Sequence, residues 1–438
     1  MPMNGNLSTY AARRQAFLKQ MGDGVALFPA APTSIRSQDV EYRYRQDNDL
    51  YYLTGFPEPE SLCLLSPNHD KERFILFVRP RDKEKETWTG KRFGVEGAQE
   101  HFGVDAAYTI DQLDKVLPEH LLAAEKVYYG LGRDERLNAK ILDFVNQGRL
   151  QRPRSGRGPV SLIDPGDLLH EMRLFKTPEE IDLMRRAAKA SAAAHHAALH
   201  ETRPGMYEYE IEALLEYHFR RNGADGPAYP SIVASGANAT ILHYISNDQQ
   251  MRDGDLLLID AGSEYACYCS DVTRTFPIGR AFSAPQREIY SLVLTAQKHA
   301  IAMIRPGVGF DDVHQRATEI LIDGLCDLGL LSGSTESILE QGDYRQFYMH
   351  RTSHWLGMDV HDVGKYRVDE ESRTLNPGMV LTVEPGLYIA ADADVPAAYR
   401  GIGVRIEDDV LVTADGHDVL TGAIPKDLDD IEAARREG

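Results

Sequence analysis

A chain of 438 residues is too long for one small core, so two domains with ample buried apolar surface are expected. Its formal charge of -19, from 67 acidic against 48 basic residues, argues against nucleic acid or an anionic membrane as partner, since both attract positive faces. No apolar stretch approaches the roughly 18 residues of a membrane span, and the four cysteines (Cys63, Cys267, Cys269, Cys326) form no Cys-x-x-Cys pair, which points to a reduced, cytoplasmic setting.

Residues 1–22 carry Arg13, Arg14 and Lys19 with no acid, faintly like a transit peptide, but 10–21 read better as an ordinary first helix. Short apolar runs at 25–28, 62–65, 74–78 and 127–131 alternate with polar helical stretches and predict an α/β N-terminal domain. Towards its end, 149–159 is rich in Arg, Gly and Pro and suits a surface linker. Its arginines (Arg149, Arg152, Arg154, Arg157) read as solvated rather than as an anion site. The domain boundary is placed between 172 and 173, ahead of the next helix start.

That helix, opening the second domain (173–438), has Thr177 as N-cap, Pro178 in the first turn and Glu180 three residues after the cap, and runs to about 200. His196 and His200 lie four apart on it, but no Glu follows His196. The zinc-protease pattern His-Glu-x-x-His is therefore absent, and packed or surface histidines are the better reading. Two echoes organise the rest of the domain. Arg203-Pro204-Gly205 and Arg305-Pro306-Gly307 each precede a helical pattern, and Gly254, Asp260 and Gly262 recur in spacing as Gly378, Glu384 and Gly386. The repeated order of turn, helix and acid-ended strand predicts a duplicated α/β half, and two facing halves would bring both acids to one centre.

Asp260 closes the run Leu256-Leu257-Leu258-Ile259, and a strand that apolar does not normally bury a carboxylate without a strong partner for its charge. A hairpin turning at Tyr265-Ala266 would set Asp260 opposite Asp271 in the strand-like stretch 271–276, where facing carboxylates repel unless a cation lies between them. In Gly403-Val404-Arg405-Ile406-Glu407, alternation puts Arg405 and Glu407 on one face. Taken alone, that pair favours a simple ion pair. His350, His354 and His361 sit close together in sequence, and beside an acid array such histidines suggest ligands and proton carriers. Four strand-borne acids plus His354 would otherwise be a buried cluster of like charges, so the joint pattern predicts a metal site.

The segments Leu242-His243-Tyr244, Leu258-Ile259-Asp260-Ala261-Gly262, Ser270-Asp271-Val272-Thr273-Arg274-Thr275-Phe276, His354-Trp355-Leu356-Gly357-Met358-Asp359-Val360-His361-Asp362, Val383-Glu384-Pro385-Gly386 and Gly403-Val404-Arg405-Ile406-Glu407-Asp408 closely resemble the proline-specific pita-bread metallopeptidases. Among these the chain looks most like the Xaa-Pro aminopeptidase (aminopeptidase P) family. Tyr42-Arg43-Tyr44-Arg45-Gln46 and Asp49-Leu50-Tyr51-Tyr52-Leu53-Thr54-Gly55-Phe56 extend the resemblance to the N-terminal domain. It implies an α+β C-terminal domain of two pseudo-twofold halves with a curved, mostly antiparallel sheet. All five family metal positions are filled, by Asp260, Asp271, His354, Glu384 and Glu407.

The resemblance further implies two divalent ions. Asp271 and Glu407 would bridge them, with Asp260 on one and His354 and Glu384 on the other, and the oxygen-rich set favours Mn(II) or another hard ion. A bridging hydroxide would attack the N-terminal Xaa-Pro bond, a tertiary amide without an N–H that calls for a ring pocket. By the same resemblance His243 and His361 would hold the substrate carbonyl, His350 would line the proline pocket and Glu384 would move the proton. Arg405 would orient Glu407 or substrate, or serve as a plain charge partner. Tyr229 would border the pocket for the N-terminal residue or be simply packed, and Trp88 looks like a residue that relatives present to a neighbouring subunit's site, which would imply a homo-oligomer, dimer or tetramer. Arg351 stands where relatives often carry a small residue.

Other readings stay open on sequence alone. A prolidase would use the same metal set on dipeptides, with organophosphate hydrolysis as a side activity, and a metal-free binding module could keep the fold. An aspartic-protease reading of Leu258-Ile259-Asp260-Ala261-Gly262 lacks a second matching Asp loop, since its counterpart is Val383-Glu384-Pro385-Gly386.

Overall fold

Helix α1 (Leu7–Met21) opens the residues described by the computed structural model, 7–437. Its Arg13 and Arg14 are buried and donate to the carbonyls of Tyr52 and Leu53 at 3.2 and 2.8 Å. The helix is thus built into the first of two units, which part between Met172 and Arg173. Strands β1 (Val25–Pro29), β2 (Leu62–Leu65), β3 (Phe74–Val78), β4 (Ala106–Thr109) and β5 (Lys126–Tyr128) follow, then helix α2 (Glu135–Ser155) and β6 (Ser161–Ile163). The strands form one mixed sheet in the order β4-β3-β2-β1-β5-β6. Its central strands carry Leu27, Leu64, Ile75 and Phe77 into a buried core.

The expected linker is a correction. Residues up to Ser155 continue α2, which ends where Gly156 turns left-handed (φ 68°) and its N–H bonds the Arg152 carbonyl at 2.8 Å. Arg152 is engaged, not free in solvent: its Nη2 donates to Glu125 Oε1 at 2.8 Å and its Nη1 to the Gly158 carbonyl at 2.7 Å. The chain then re-enters the same sheet as β6.

In the second unit α3 (Pro178–Glu201) starts with the expected reciprocal cap, Glu180 N–H on Thr177 Oγ1 at 3.4 Å and Thr177 N–H on Glu180 Oε2 at 3.0 Å. Helix α4 (Glu208–Arg221) leads to β7 (Ile232–Ser235), β8 (Leu256–Asp260), β9 (Ser263–Tyr265), β10 (Tyr268–Cys269) and β11 (Thr273–Pro277). A second series repeats the order: α5 (Ala284–Met303), α6 (Phe310–Asp327), β12 (Val380–Val383), β13 (Gly386–Ile389), β14 (Ile402–Arg405), β15 (Asp408–Val412) and β16 (His417–Val419). The sheets β7-β8-β11, β12-β15-β16 and β13-β14 are antiparallel throughout. Gly254 and Gly378 share a left-handed backbone, φ 87° and 91°, which only glycine adopts freely, so the sequence echo is also an echo of the chain path.

The four helices cover one side of these sheets. Leu257 and Ile259 of β8 join Phe276, Val404 and Ile406 in the helix-facing core, whereas Leu258 packs with Ile232, Ala234 and Tyr388 on the opposite face. Both faces of β8 are buried, and strand alternation sends Asp260 to the Leu258 side. Among the described residues no helix is long and apolar enough to cross a membrane.

Candidate metal centre and active site

The β9–β10 hairpin turns at Ala266 and Cys267 (φ 51° and 68°), one residue later than expected. Asp260 therefore pairs with Thr273, and Asp271 lies in the loop before β11. Glu384 follows the end of β12 and Glu407 precedes β15, one step beyond the last pair of that ladder, Val383 with Asp408. Of the four acids only Asp260 is strand-borne; the others sit where ladders end, and there the side chains converge. The glycine two residues after Asp260 and Glu384 has a steric reason: a Cβ on Gly262 would stand 1.7 Å from Ser270 O, and one on Gly386 2.9 Å from Val404 O.

The acids meet in a cavity of about 750 Å³ whose lining includes Asp260, Asp271, His354, Glu384 and Glu407 together with His243, His350, His361 and Arg405. One ligand atom each from Asp271, His354 and Glu407 lies within 4.8 Å of the others. His354 Nε2 is 3.4 Å from Asp271 Oδ2 and 3.5 Å from Glu384 Oε1, while Nδ1–H donates to the Trp355 carbonyl at 3.0 Å. That bond keeps a proton on Nδ1 and turns Nε2 towards the acids, where it carries either a second proton or a metal ion.

Arg405 is 4% exposed and ties the acids together. Its Nη2 donates to Asp260 Oδ2 at 2.6 Å, its Nη1 to Tyr388 OH at 2.9 Å and its Nε to Thr273 Oγ1 at 3.0 Å; Thr273 in turn donates to Glu407 Oε2 at 2.7 Å. Tyr229 OH lies 2.7 Å from Asp260 Oδ1 and 2.5 Å from Asp271 Oδ1, and its single proton serves one acceptor at a time.

Charge balance decides whether a cation belongs here. Burial first, then Asp271 and Glu384, push the Glu407 carboxyl well above the usual range. Burial also raises Glu384 to about 7, and raises Asp260 in spite of the guanidinium beside it. For His354 burial opposes the charged form, but Asp271 and Glu384 outweigh it and lift the ring to about 9. One guanidinium and one imidazole do not neutralise four carboxylates, of which Asp271 and Glu407 are buried and Asp260 and Glu384 partly so, and the set therefore fits divalent cations, its oxygen-rich make-up hard ones.

His243 and His361 reach the cavity from exposed positions, the His361 ring 4.3 Å from that of His354. His350 is anchored at both nitrogens, Nε2 to Tyr388 OH at 2.8 Å and Nδ1 to the Arg351 carbonyl at 2.7 Å. Burial and then Arg405 lower it to about 3, so the ring is neutral. His196 instead bonds the Ala423 carbonyl at 3.1 Å, away from the cavity lining. Trp88 lies in the first unit and is 84% exposed.

Sequence reasoning missed several supporting side chains. Thr382 receives the His354 N–H at 3.1 Å and donates to Glu384 Oε1 at 3.3 Å, Asp409 accepts the Asp271 N–H at 3.2 Å, and buried His195 bonds the Ala261 carbonyl at 2.8 Å. The available signal was hydroxyls on otherwise apolar strands next to the acids, at Thr273, Thr275 and Thr382.

Two family models match the chain: metallopeptidase family M24 over residues 182–414 and the aminopeptidase P N-terminal domain over residues 10–128. The chain is similar to the Xaa-Pro aminopeptidase of Escherichia coli (strain K12), with 45% identity over 431 residues, 97% of this chain and 96% of that one. Among solved structures it matches aminopeptidase PepP of Pseudomonas aeruginosa with a TM-score of 0.96 and 48% identity, covering 99% of this chain and 98% of that one. It matches zinc-substituted E. coli aminopeptidase P in complex with product with a TM-score of 0.95 and 44% identity, covering 99% of each.

Proposed function

The chain belongs to metallopeptidase family M24, in its aminopeptidase P branch, and from that premise we propose that it removes the N-terminal residue from peptides whose second residue is proline. Two divalent ions, Mn(II) first among them, would be held by Asp260, Asp271, His354, Glu384 and Glu407. The observation that carries this reading is the convergence of four acids, two buried and two partly buried, and an imidazole whose Nε2 faces them, without enough protein cation to balance them. When bound, such ions polarise the scissile carbonyl and lower the pKa of the attacking water.

The chain's own residues supply the rest. Glu384, a cavity-lining carboxylate held by Thr382 Oγ1 at 3.3 Å, is suited to accept the water's proton and deliver it to the departing proline nitrogen, which has no hydrogen of its own in the amide. His243 and His361, at the accessible side of the cavity, donate to the carbonyl oxygen as negative charge builds there. His350, neutral and held at both nitrogens, offers a fixed ring face to proline. Arg405 orients Asp260 directly and Glu407 through Thr273. Tyr229 holds Asp260 and Asp271 by its hydroxyl, which supports a positioning role over a wall of the N-terminal pocket.

The first domain, 1–172, is assigned to oligomer formation and substrate access in a cytoplasmic homo-oligomer, with exposed Trp88 offered to a neighbouring copy. Side-by-side assay of Xaa-Pro dipeptides, Xaa-Pro-Yaa tripeptides and Xaa-Ala-Yaa controls tests the activity. Cleavage of the proline tripeptides is expected. Strict preference for dipeptides would make the enzyme a prolidase, and equal cleavage of the alanine controls would remove proline from the account.

A further inference from the structure

Arg351 and Arg367 stand on the lip of the cavity with side chains 55% and 58% exposed, and both turn to one acid, Asp311. Asp311 Oδ1 receives Arg351 Nη2 and its Oδ2 receives Arg367 Nη1 at 3.2 Å, while Arg367 Nη2 also reaches the Glu370 carbonyl. Two guanidiniums on one carboxylate leave the lip positive. Asp369, Glu370 and Glu371, on the same short hairpin as Arg367, are not part of the cavity lining.

The lip adjoins one side of the site in particular. Arg351 follows His350, which bonds the Arg351 carbonyl and has Nδ1 3.8 Å from Glu384 Oε2. This is the side assigned to the proline ring and the departing nitrogen. Phe310 and Tyr366, with ring centroids 4.9 Å apart, complete the wall there. A peptide's cationic amino end is repelled by two guanidiniums, so the carboxyl-ward part of the substrate is what faces them.

We propose that Arg351 and Arg367 select Xaa-Pro-Yaa peptides whose third residue brings a carboxylate, either its own C-terminus or an acidic side chain. The proposal rests on the peptidase reading of the site. Guanidinium and carboxylate match in geometry as well as charge, and exposure limits the preference to roughly fivefold.

The test compares Ala-Pro-Ala, its C-terminal amide and Ala-Pro-Glu amide, using native enzyme, Arg351→Ala and Arg367→Ala, each loaded with Mn(II), at low and high salt. A carboxylate-bearing peptide should exceed Ala-Pro-Ala amide by about fivefold in kcat/KM, through KM, with the gap shrinking at high salt. The ratio should fall towards one in either variant, and whichever carboxylate peptide leads identifies the source. Calorimetric binding of the same peptides to Glu384→Gln protein should rank them alike. Equal kcat/KM for all three peptides in the native enzyme, or a preference retained in both variants, overturns the proposal. Failure of the native enzyme to cleave any of the three overturns the peptidase reading instead.

Discussion

Glu407 is 2% exposed and faces Asp271, Glu384 and Asp260, which with burial hold its carboxyl well above the ordinary range. In metal-stripped protein, Glu407→Gln removes a buried ionisable group that its acidic neighbours penalise while keeping its shape, so it should stabilise the fold by about 1 kcal/mol, and the same variant supplied with metal should not turn over. Urea unfolding of the stripped proteins checks this, and a less stable variant would count against an unbalanced acid cluster. Thr273→Val deletes the hydroxyl that links Arg405 to Glu407. Metal affinity should drop about 10- to 100-fold in a chelator competition, and an unchanged affinity would leave Thr273 with no orienting role. The acids were legible in sequence because a carboxylate closing an apolar strand is chemically out of place. Thr273, Thr382 and Tyr388 were not, because hydroxyl-bearing and aromatic side chains are ordinary strand residues and only the folded partner gives them a task.

At the scale of the elements, the hairpin between Asp260 and Asp271 sets the geometry of the centre. Gly262→Ala would force a Cβ to within 1.7 Å of Ser270 O, whereas Gly254→Ala meets nothing within 4 Å and incurs only backbone strain. Thermal melts should show Gly262→Ala losing about 3 kcal/mol or more, together with metal affinity, against about 1 kcal/mol for Gly254→Ala. Equal losses would mean that close strand approach is not what Gly262 serves. Strands 62–65 and 74–78 were readable to the residue because both faces are buried and the apolar run is unbroken. The end of α2 was misread because Arg, Gly and Pro at 149–159 resemble a connector. One hydrogen bond lost at Pro153 near a helix end is tolerable, and the true stop is the left-handed Gly156. The hairpin register was off because local pattern does not reveal which residues take positive φ, here Ala266 and Cys267.

For the molecule as a whole, the second domain depends on buried ionic ties as well as its apolar cores. Asp362 receives Arg173 Nη2 at 2.7 Å and Lys176 Nζ at 2.9 Å, all three buried. Burial alone would raise its carboxyl, but Lys176 and Arg173 outweigh that and hold it below the usual value. A depressed folded value stabilises above the unfolded one, so this contribution is complete above about pH 4 and is lost as pH falls through the folded value. Asp362→Asn should lower stability near neutral pH by about 3–5 kcal/mol, with the difference narrowing in acid. A gap that stays constant down the acid limb would contradict the tie.

The duplicated helix-and-strand order was readable from paired glycines and acids. The meeting of the two halves required a fold, because Asp271 and Glu407 are brought together by topology rather than by neighbouring sequence. The most direct test of that meeting is to titrate Mn(II) into metal-stripped enzyme while recording Xaa-Pro-Yaa hydrolysis and bound metal together. Turnover should be absent without metal and recover fully at about two ions per chain. Turnover in the stripped protein, or full activity at a single ion, would rule out a dinuclear centre.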